Sequence, residues 1–430
     1  MVDEYETRVV NEEILKKMEL KNRYSWIRAN MMPLLEDYEM KFFDKVSRFC
    51  LKMEKECNHA KDDVYTWIPK FGAEGYVTRM CNFPEVDLDW GEEAGMTYEM
   101  MRNLCVDMFD PQFNMGMGAT VLAVNPVRAH NEGRSICLEA LKDMVSGKEE
   151  GAILITEPER GSDSLHPLTS TVEDGEGGFV VNGEKAFNTN APRSKWLVLY
   201  GTTDPSNEAE SPQNMTQLLI QVPSDGLTIE RVVIPWVPKL WLGKETLVDV
   251  KVPADQVLGG VGKGRDYQFE GLVPERMGIA ILDASECWGA LAYAGLYTNM
   301  RMQFGKPILT LQGAGFTLCE WWAKTSNYTQ GVLRFAEQYD GKMKKYNGEL
   351  PKMVSQALVA AASQMKYEGA ALAERVCYEM ANLMGGAGVC DNTLMRDYLG
   401  VSRIQEIVGG SRQIQLYVMS MSQRQLFKMI

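Results

Sequence analysis

Two short stretches hold residue types suited to chemistry. The first, Thr156-Glu157-Pro158-Glu159-Arg160-Gly161-Ser162-Asp163, follows directly on the apolar run Ile153-Leu154-Ile155. Its hydroxyls, its glycine and its nearby N–H groups suit a flavin edge or a pyrophosphate; they equally describe a polar turn. The second, Asn182-Gly183-Glu184-Lys185-Ala186-Phe187-Asn188-Thr189-Asn190, places an aromatic two residues from a hydroxyl. On a strand those two side chains share a face. The plain alternative is a hairpin with Phe187 in the core.

The elements that would position these stretches follow from periodicity. At roughly 150 residues per domain, the 430-residue chain predicts about three domains. Residues 1–150 read as helix, with apolar positions three and four apart through Trp26-Ile27, Met31, Leu34-Leu35, Tyr38, Phe42-Phe43 and Val46. A loop interrupts them at Asn82 to Glu93. From Gly151 to about Gly262 the pattern is short apolar runs such as Trp196 to Tyr200 and Leu218 to Val222. Turn signals separate them at Asp174 to Gly178, Asn182-Gly183 and Pro223 to Gly226. The helical period then returns, with a helix predicted to open at Pro274 and to run to Phe304. Long amphipathic segments follow at Phe316 to Tyr339 and Met353 to Leu383. The expected class is α+β multidomain: an all-α domain (1–150), an antiparallel β-barrel or sandwich (151–262) and a carboxyl-terminal helical domain (263–430).

Composition excludes several functions. A net charge of −13 without a Lys/Arg block disfavours nucleic acid. No apolar run approaches the roughly 18 residues of a membrane span. Nine cysteines, an odd number with no C-x-x-C pair, argue for reduced thiols. Three scattered histidines, His59, His130 and His166, lack metal-ligand spacing, and no metal is expected. The acidic start (Asp3, Glu4, Glu6, Glu12, Glu13) does not look like a leader peptide, so a cytoplasmic location is expected.

Together with Arg301 to Pro307, Gly385-Gly386-Ala387-Gly388 and Arg403 to Gln415, the two stretches resemble the acyl-CoA dehydrogenase flavoproteins. These are five ordered motifs over residues 150–415, within a helix-β-helix plan. The resemblance implies FAD, a carboxyl-terminal four-helix bundle and a homodimer or homotetramer. It implies that the backbone at Ile155 and Thr156 and the Thr189 hydroxyl bond the flavin ring, with Phe187 packed on it. Ser162 would meet the FAD pyrophosphate or the CoA arm. Arg301, Phe304 and Gln312, with Gly385 and Gly386, would hold a neighbouring subunit's FAD, and Asn382, Ser411 and Gln413 belong to the same cofactor-binding segments. Arg276 would lie near CoA. Departures are Arg160 and His166 in place of small residues, Gly400-Val401 in place of Arg-Asp, and Asn382 in place of Gln.

The reaction implied is removal of an α-proton by a carboxylate as the β-hydrogen leaves as hydride, and a positioned base is worth ~10²–10⁴ in rate. The usual base position holds Gly409, which takes no proton but keeps its N–H to polarise a thioester carbonyl. As in the isovaleryl- and long-chain-type members, the expected base is Glu275, at the start of the helix after the β domain. Asp87, Asp89 and Glu92 are the reserves. A vacant position 409 leaves room for a branched, alicyclic or aryl-bearing acyl group, with Phe113, Met115 and Met117 as candidate linings or plain core residues. Electrons would pass to an electron-transferring flavoprotein. The alternatives are another flavin activity on the same scaffold (enoyl-CoA reductase, acyl-CoA lyase or monooxygenase) and a non-catalytic CoA-binding protein.

Overall fold

The computed structural model describes residues 12–59, 61–207, 212–390 and 392–428. Asp3, Glu4 and Glu6 lie outside the described residues. The chain gathers into two compact units, one of Met1–Asp62, Glu93–Asn114 and Arg276–Ile430, the other of Asp63–Glu92 and Met115–Glu275.

In the first unit the helices Asp37–Met53 and Met96–Phe109 pack together. Tyr24 meets Phe43 edge-on, and the rings of Trp26 and Trp288 lie 5.7 Å apart. The Lys352–Met384 helix packs against Gln312–Lys345, Met395–Gln405 and Arg412–Lys428. The last stretch of the expected bundle is thus split in two between Gln405 and Arg412. Gly409 (φ 62) and Gly410 (φ 87) stand in that break, in backbone that glycine enters without steric cost.

The second unit is built on seven strands: β1 (Glu150–Leu154), β2 (Ser170–Glu173), β3 (Phe179–Thr189), β4 (Ser194–Thr202), β5 (Met215–Gln221), β6 (Leu227–Val232) and β7 (Leu242–Val252). Their order is β1-β4-β2-β3-β7-β6, with β5 on β4. The expected antiparallel barrel or sandwich is corrected in two respects, its all-antiparallel pairing and the closed barrel. β1 runs parallel to β4, from Glu150 opposite Ser194 to Leu154 opposite Leu199. The sheet also stays open, since β6 pairs with β7 and β5 with β4 and they do not close on each other. Strand β4 is apolar from Trp196 to Tyr200, where both its faces are buried. Trp196, Val198 and Tyr200 pack with Val124, Leu141 and Met144 of the helices Pro111–His130 and Ser135–Val145. Leu197 and Leu199 pack with Phe179, Val181, Val250 and Val252.

Three local expectations fail for identifiable reasons. Asn182-Gly183 is no turn: it lies inside β3, at a register shift opposite β7. Asn182 bonds Asp249 in both directions, and Gly183 takes φ 149 at a place where a Cβ would stand 2.8 Å from the Thr169 Cα. Pro274 does not open its helix but lies inside Gly264–Met300. The upstream turns are held by Tyr267, which stacks on His130 and accepts from the Gly260 N–H at 3.0 Å. That helix stops at Met300, short of Phe304. Met302–Gln303 then pairs with Lys306–Pro307 in a hairpin turned by Phe304 (φ 51) and Gly305 (φ 75), the two left-handed positions of a tight turn.

Candidate functional site

In the sheet-containing unit, the segment after β1 is anchored from beneath. Glu157 and Lys185 form a buried ion pair, Nζ to Oε1 2.8 Å, and Lys185 also donates to the Ile155 carbonyl at 3.1 Å. Glu157 further accepts from the N–H groups of Leu168 (2.7 Å) and Thr169 (2.9 Å) and from the Thr169 hydroxyl (2.6 Å). Burial works against the Glu157 charge, but Lys185 and these donors hold its carboxyl below the usual range. The Thr156 carbonyl accepts from the Ala186 N–H at 2.9 Å, and the Thr156 N–H has no acceptor among the described residues. A fixed loop with a free amide results, rather than a loose polar turn. Ser162 is exposed at its outer end.

Phe187 is not in the core. It sits at a register shift of β3 with φ 62 and is 58% exposed, while Asn188 is buried and Thr189 half-buried. An aromatic side chain in left-handed backbone is strained by roughly 1–3 kcal/mol, and such strain concentrates at ligand sites. Asn188 donates to Glu245, a buried carboxyl that desolvation pushes up to about 7. Asn190 (φ 72) ties the end of the strand down: it accepts from the Tyr65 hydroxyl at 2.7 Å and donates to the Gly116 carbonyl at 2.7 Å.

Glu275 is half-buried in the Gly264–Met300 helix. Burial raises the Tyr200 hydroxyl, and the Glu275 charge raises it further. The reserve carboxylates Asp87, Asp89 and Glu92 are all exposed, with Asp89 capping the Gly91 N–H at 2.8 Å. Met115 and Met117 are buried on the Pro111–His130 helix.

In the helical unit, Phe113 is buried edge-on to Phe109. Arg276 is also buried, and it donates to the Ser363 hydroxyl at 2.8 Å. Arg301, Phe304 (88% exposed), Gln312, Asn382, Gly385 and Gly386 all face solvent. Gly385 takes φ 63 and ψ −139, which glycine alone adopts readily, and a Cβ on Gly385 or Gly386 would meet open space. Gly409 and Ser411 are half-buried and Gln413 is exposed. Sequence reasoning missed the buried carboxyls Asp107, Asp283 and Glu286. Burial pushes each well above the usual carboxylate range. Asp283 and Glu286 stand among the apolar residues of one helix, and that interruption was the available signal.

Two family models match: the acyl-CoA dehydrogenase middle domain over residues 152–235 and the acyl-CoA dehydrogenase carboxyl-terminal domain over residues 262–423. Together they span more than half of the chain. The chain belongs to the acyl-CoA dehydrogenase family. It is 27% identical over 282 residues to the short-chain specific acyl-CoA dehydrogenase of Megasphaera elsdenii, covering 65% of this chain and 69% of that protein. It is 28% identical to the CarC subunit of the caffeyl-CoA reductase–Etf complex of Acetobacterium woodii, over 65% of this chain and 70% of that one. The butyryl-CoA dehydrogenase structure from Megasphaera elsdenii superimposes with a TM-score of 0.78 at 23% identity, covering 90% of this chain and 98% of that chain, which shows the shared fold.

Acyl-CoA dehydrogenases use FAD, and the residues present fit it. A strained exposed aromatic, a free amide at Thr156, an exposed guanidinium and glycines with open space beside them are what a ring system and a pyrophosphate require. No helix among the described residues is long and apolar enough to cross a membrane.

Proposed function

We propose that this chain removes hydrogen across Cα–Cβ of an acyl-CoA thioester with Glu275 as the base, the acyl group being branched, alicyclic or aryl-bearing. The reading is supported by two separate features of the chain, a glycine at 409 that takes no proton and a half-buried glutamate at 275. A base is needed, and the exposed, solvated Asp87, Asp89 and Glu92 are weaker candidates than a carboxylate partly withdrawn from water.

Bound FAD would supply the hydride acceptor. Ile155 and Thr156 would hold its ring edge through backbone, Thr189 through a hydroxyl and Phe187 by packing; Ser162 would meet its pyrophosphate or the CoA arm. Arg301, Phe304, Gln312, Asn382, Gly385, Gly386, Ser411 and Gln413 would serve the FAD of a neighbouring subunit in a homodimer or homotetramer, a reading supported by the exposure of most of them. Arg276 would orient CoA, and Phe113, Met115 and Met117 would back the acyl group. Glu275 would take the α-proton while the Gly409 N–H polarises the thioester carbonyl. Electrons would leave to an electron-transferring flavoprotein, in keeping with the Etf complex named for the Acetobacterium relative. Nine free thiols support a reducing compartment such as the cytoplasm.

The test is anaerobic titration of the purified flavoprotein with a panel of acyl-CoA thioesters, wild type beside Glu275→Gln. Bleaching by a bulky thioester, lost in the variant, is the expected result. Bleaching that survives the substitution moves the base elsewhere. No bleaching by saturated thioesters, with reoxidation of reduced flavin by enoyl thioesters, overturns the assigned direction in favour of reduction.

A further inference from the structure

Two buried side chains hold the Gly409–Gly410 turn from behind. Gln415 donates through Nε2 to the Gly409 carbonyl at 2.9 Å and to the Gly410 carbonyl at 2.8 Å. Lys366, 1% exposed on the Lys352–Met384 helix, donates through Nζ to the same Gly410 carbonyl at 2.9 Å. A lysine is seldom this buried without a counter-charge. Asp283, fully buried, lies within electrostatic reach: desolvation raises its carboxyl well above the usual range, and Lys366 pulls it part of the way back. Gly369, three residues on from Lys366, leaves room for Tyr328 and Asp283, since a Cβ there would collide with the Tyr328 hydroxyl and stand 2.7 Å from the Asp283 carboxylate.

The clamp sets a direction. Both peptides that follow the clamped carbonyls are trans, so each carbonyl and the next N–H point opposite ways. With the Gly409 and Gly410 carbonyls drawn inward, the N–H groups of Gly410 and Ser411 face away from Gln415 and Lys366. Neither of these N–H groups, nor that of Gly409, has an acceptor among the described residues.

We propose that Lys366 and Gln415 are positioning residues: by pinning two carbonyls they fix the Gly409–Gly410 turn and preset the amides of Gly410 and Ser411, beside that of Gly409, as donors for the substrate's thioester carbonyl. The proposal rests on the acyl-thioester reading above. Two adjacent glycines are the most flexible dipeptide a chain can carry, and without the clamp their peptides are free to rotate. The donors would then have to be organised again in each catalytic cycle, and preorganisation is what makes such donors effective.

The test uses FAD-loaded wild type, Gln415→Met, Lys366→Met and Lys366→Arg. The readouts are the absorption maximum of a bound chromophoric aryl-acryloyl-CoA, its Kd, and kcat with the preferred thioester. Polarisation of the carbonyl shifts that absorption to the red, which a merely structural role would not change once the thioester is bound. The expected result is a red shift at least halved in Gln415→Met and Lys366→Met, with kcat down roughly 10²-fold and Kd within about threefold, and partial recovery in Lys366→Arg. A full red shift with kcat near wild type in both methionine variants overturns the clamp. Where Lys366→Met does not fold, Gln415→Met decides alone, since it leaves the core charge unchanged. A wild type that binds no thioester overturns the reading beneath and the proposal with it.

Discussion

Lys185 Nζ stands 2.8 Å from Glu157 Oε1, and the two side chains are 0% and 2% exposed. The pair joins the middle of β3 to the loop after β1, the two stretches that the sequence singled out for chemistry. Removing one partner leaves an uncompensated buried charge, which costs about 3–5 kcal/mol. Lys185→Met is therefore expected to lose that much stability in urea unfolding, and Lys185→Met with Glu157→Met to lose clearly less. A double variant as unstable as the single one would mean that the loop is held by other contacts.

Phe187 predicts a trade between stability and cofactor binding. Glycine at this position relieves φ 62, and little packing is lost because the ring is 58% exposed. Phe187→Gly is expected to leave the flavin-free protein as stable or ~1 kcal/mol more stable, and to weaken FAD binding about tenfold or more, measured by flavin fluorescence. Unchanged FAD affinity would remove Phe187 from the site.

Gly183 is required for space. Its missing Cβ would lie 2.7 Å from the Thr169 hydroxyl and 2.8 Å from the Thr169 Cα, and Thr169 also holds Glu157. Gly183→Ala is expected to cost more than ~2 kcal/mol, read from the midpoint of urea unfolding. Gly161→Ala, with nothing within 4 Å of its added carbon, is the matched control and should cost much less.

His59 sets a pH dependence of stability. Burial alone would lower its pKa, but hydrogen bonds to Asp110 (3.1 Å) and Glu54 (2.9 Å) raise it from 6.5 to about 9. A group whose folded pKa lies above its unfolded value stabilises fully below the unfolded value and loses that contribution as pH rises through the folded one. Wild type should exceed His59→Gln by about 2–3 kcal/mol at pH 6, and the gap should close between pH 6.5 and 9.5. A gap independent of pH would mean that the imidazole acts there as a neutral packing group.

The fold was legible wherever one residue-level signal dominated. The three-and-four spacing through Trp26, Met31 and Phe42 marks helices that do form, and the uninterrupted apolar run Trp196 to Tyr200 marks a strand buried on both faces. Local signals misled where tertiary contacts overrode them. Asn182-Gly183 has hairpin chemistry, yet Asp249 and Thr169 hold it in a continuous strand. Pro274 looks like a helix start, yet Tyr267 stabilises the turns before it. The motif residues Phe187, Thr189, Arg301 and Gly385 could be read in order from the sequence. What fixes their surroundings could not: Glu157 with Lys185, and Lys366 with Gln415, are partners 28 and 49 positions apart, whose relation exists only after folding.

The backbone at residue 409 also bears on how this chain can change. A glutamate placed there would enter φ 62, a conformation that costs a side-chain-bearing residue roughly 1–2 kcal/mol, with its own carbonyl and that of Gly410 already fastened. A carboxylate at 409 would therefore carry backbone strain of the kind Phe187 carries at φ 62, as well as a new side chain. Position 409 behaves as a one-sided brake: the vacancy is recorded in the main chain, and a substitution that fills it carries a backbone cost that its removal does not.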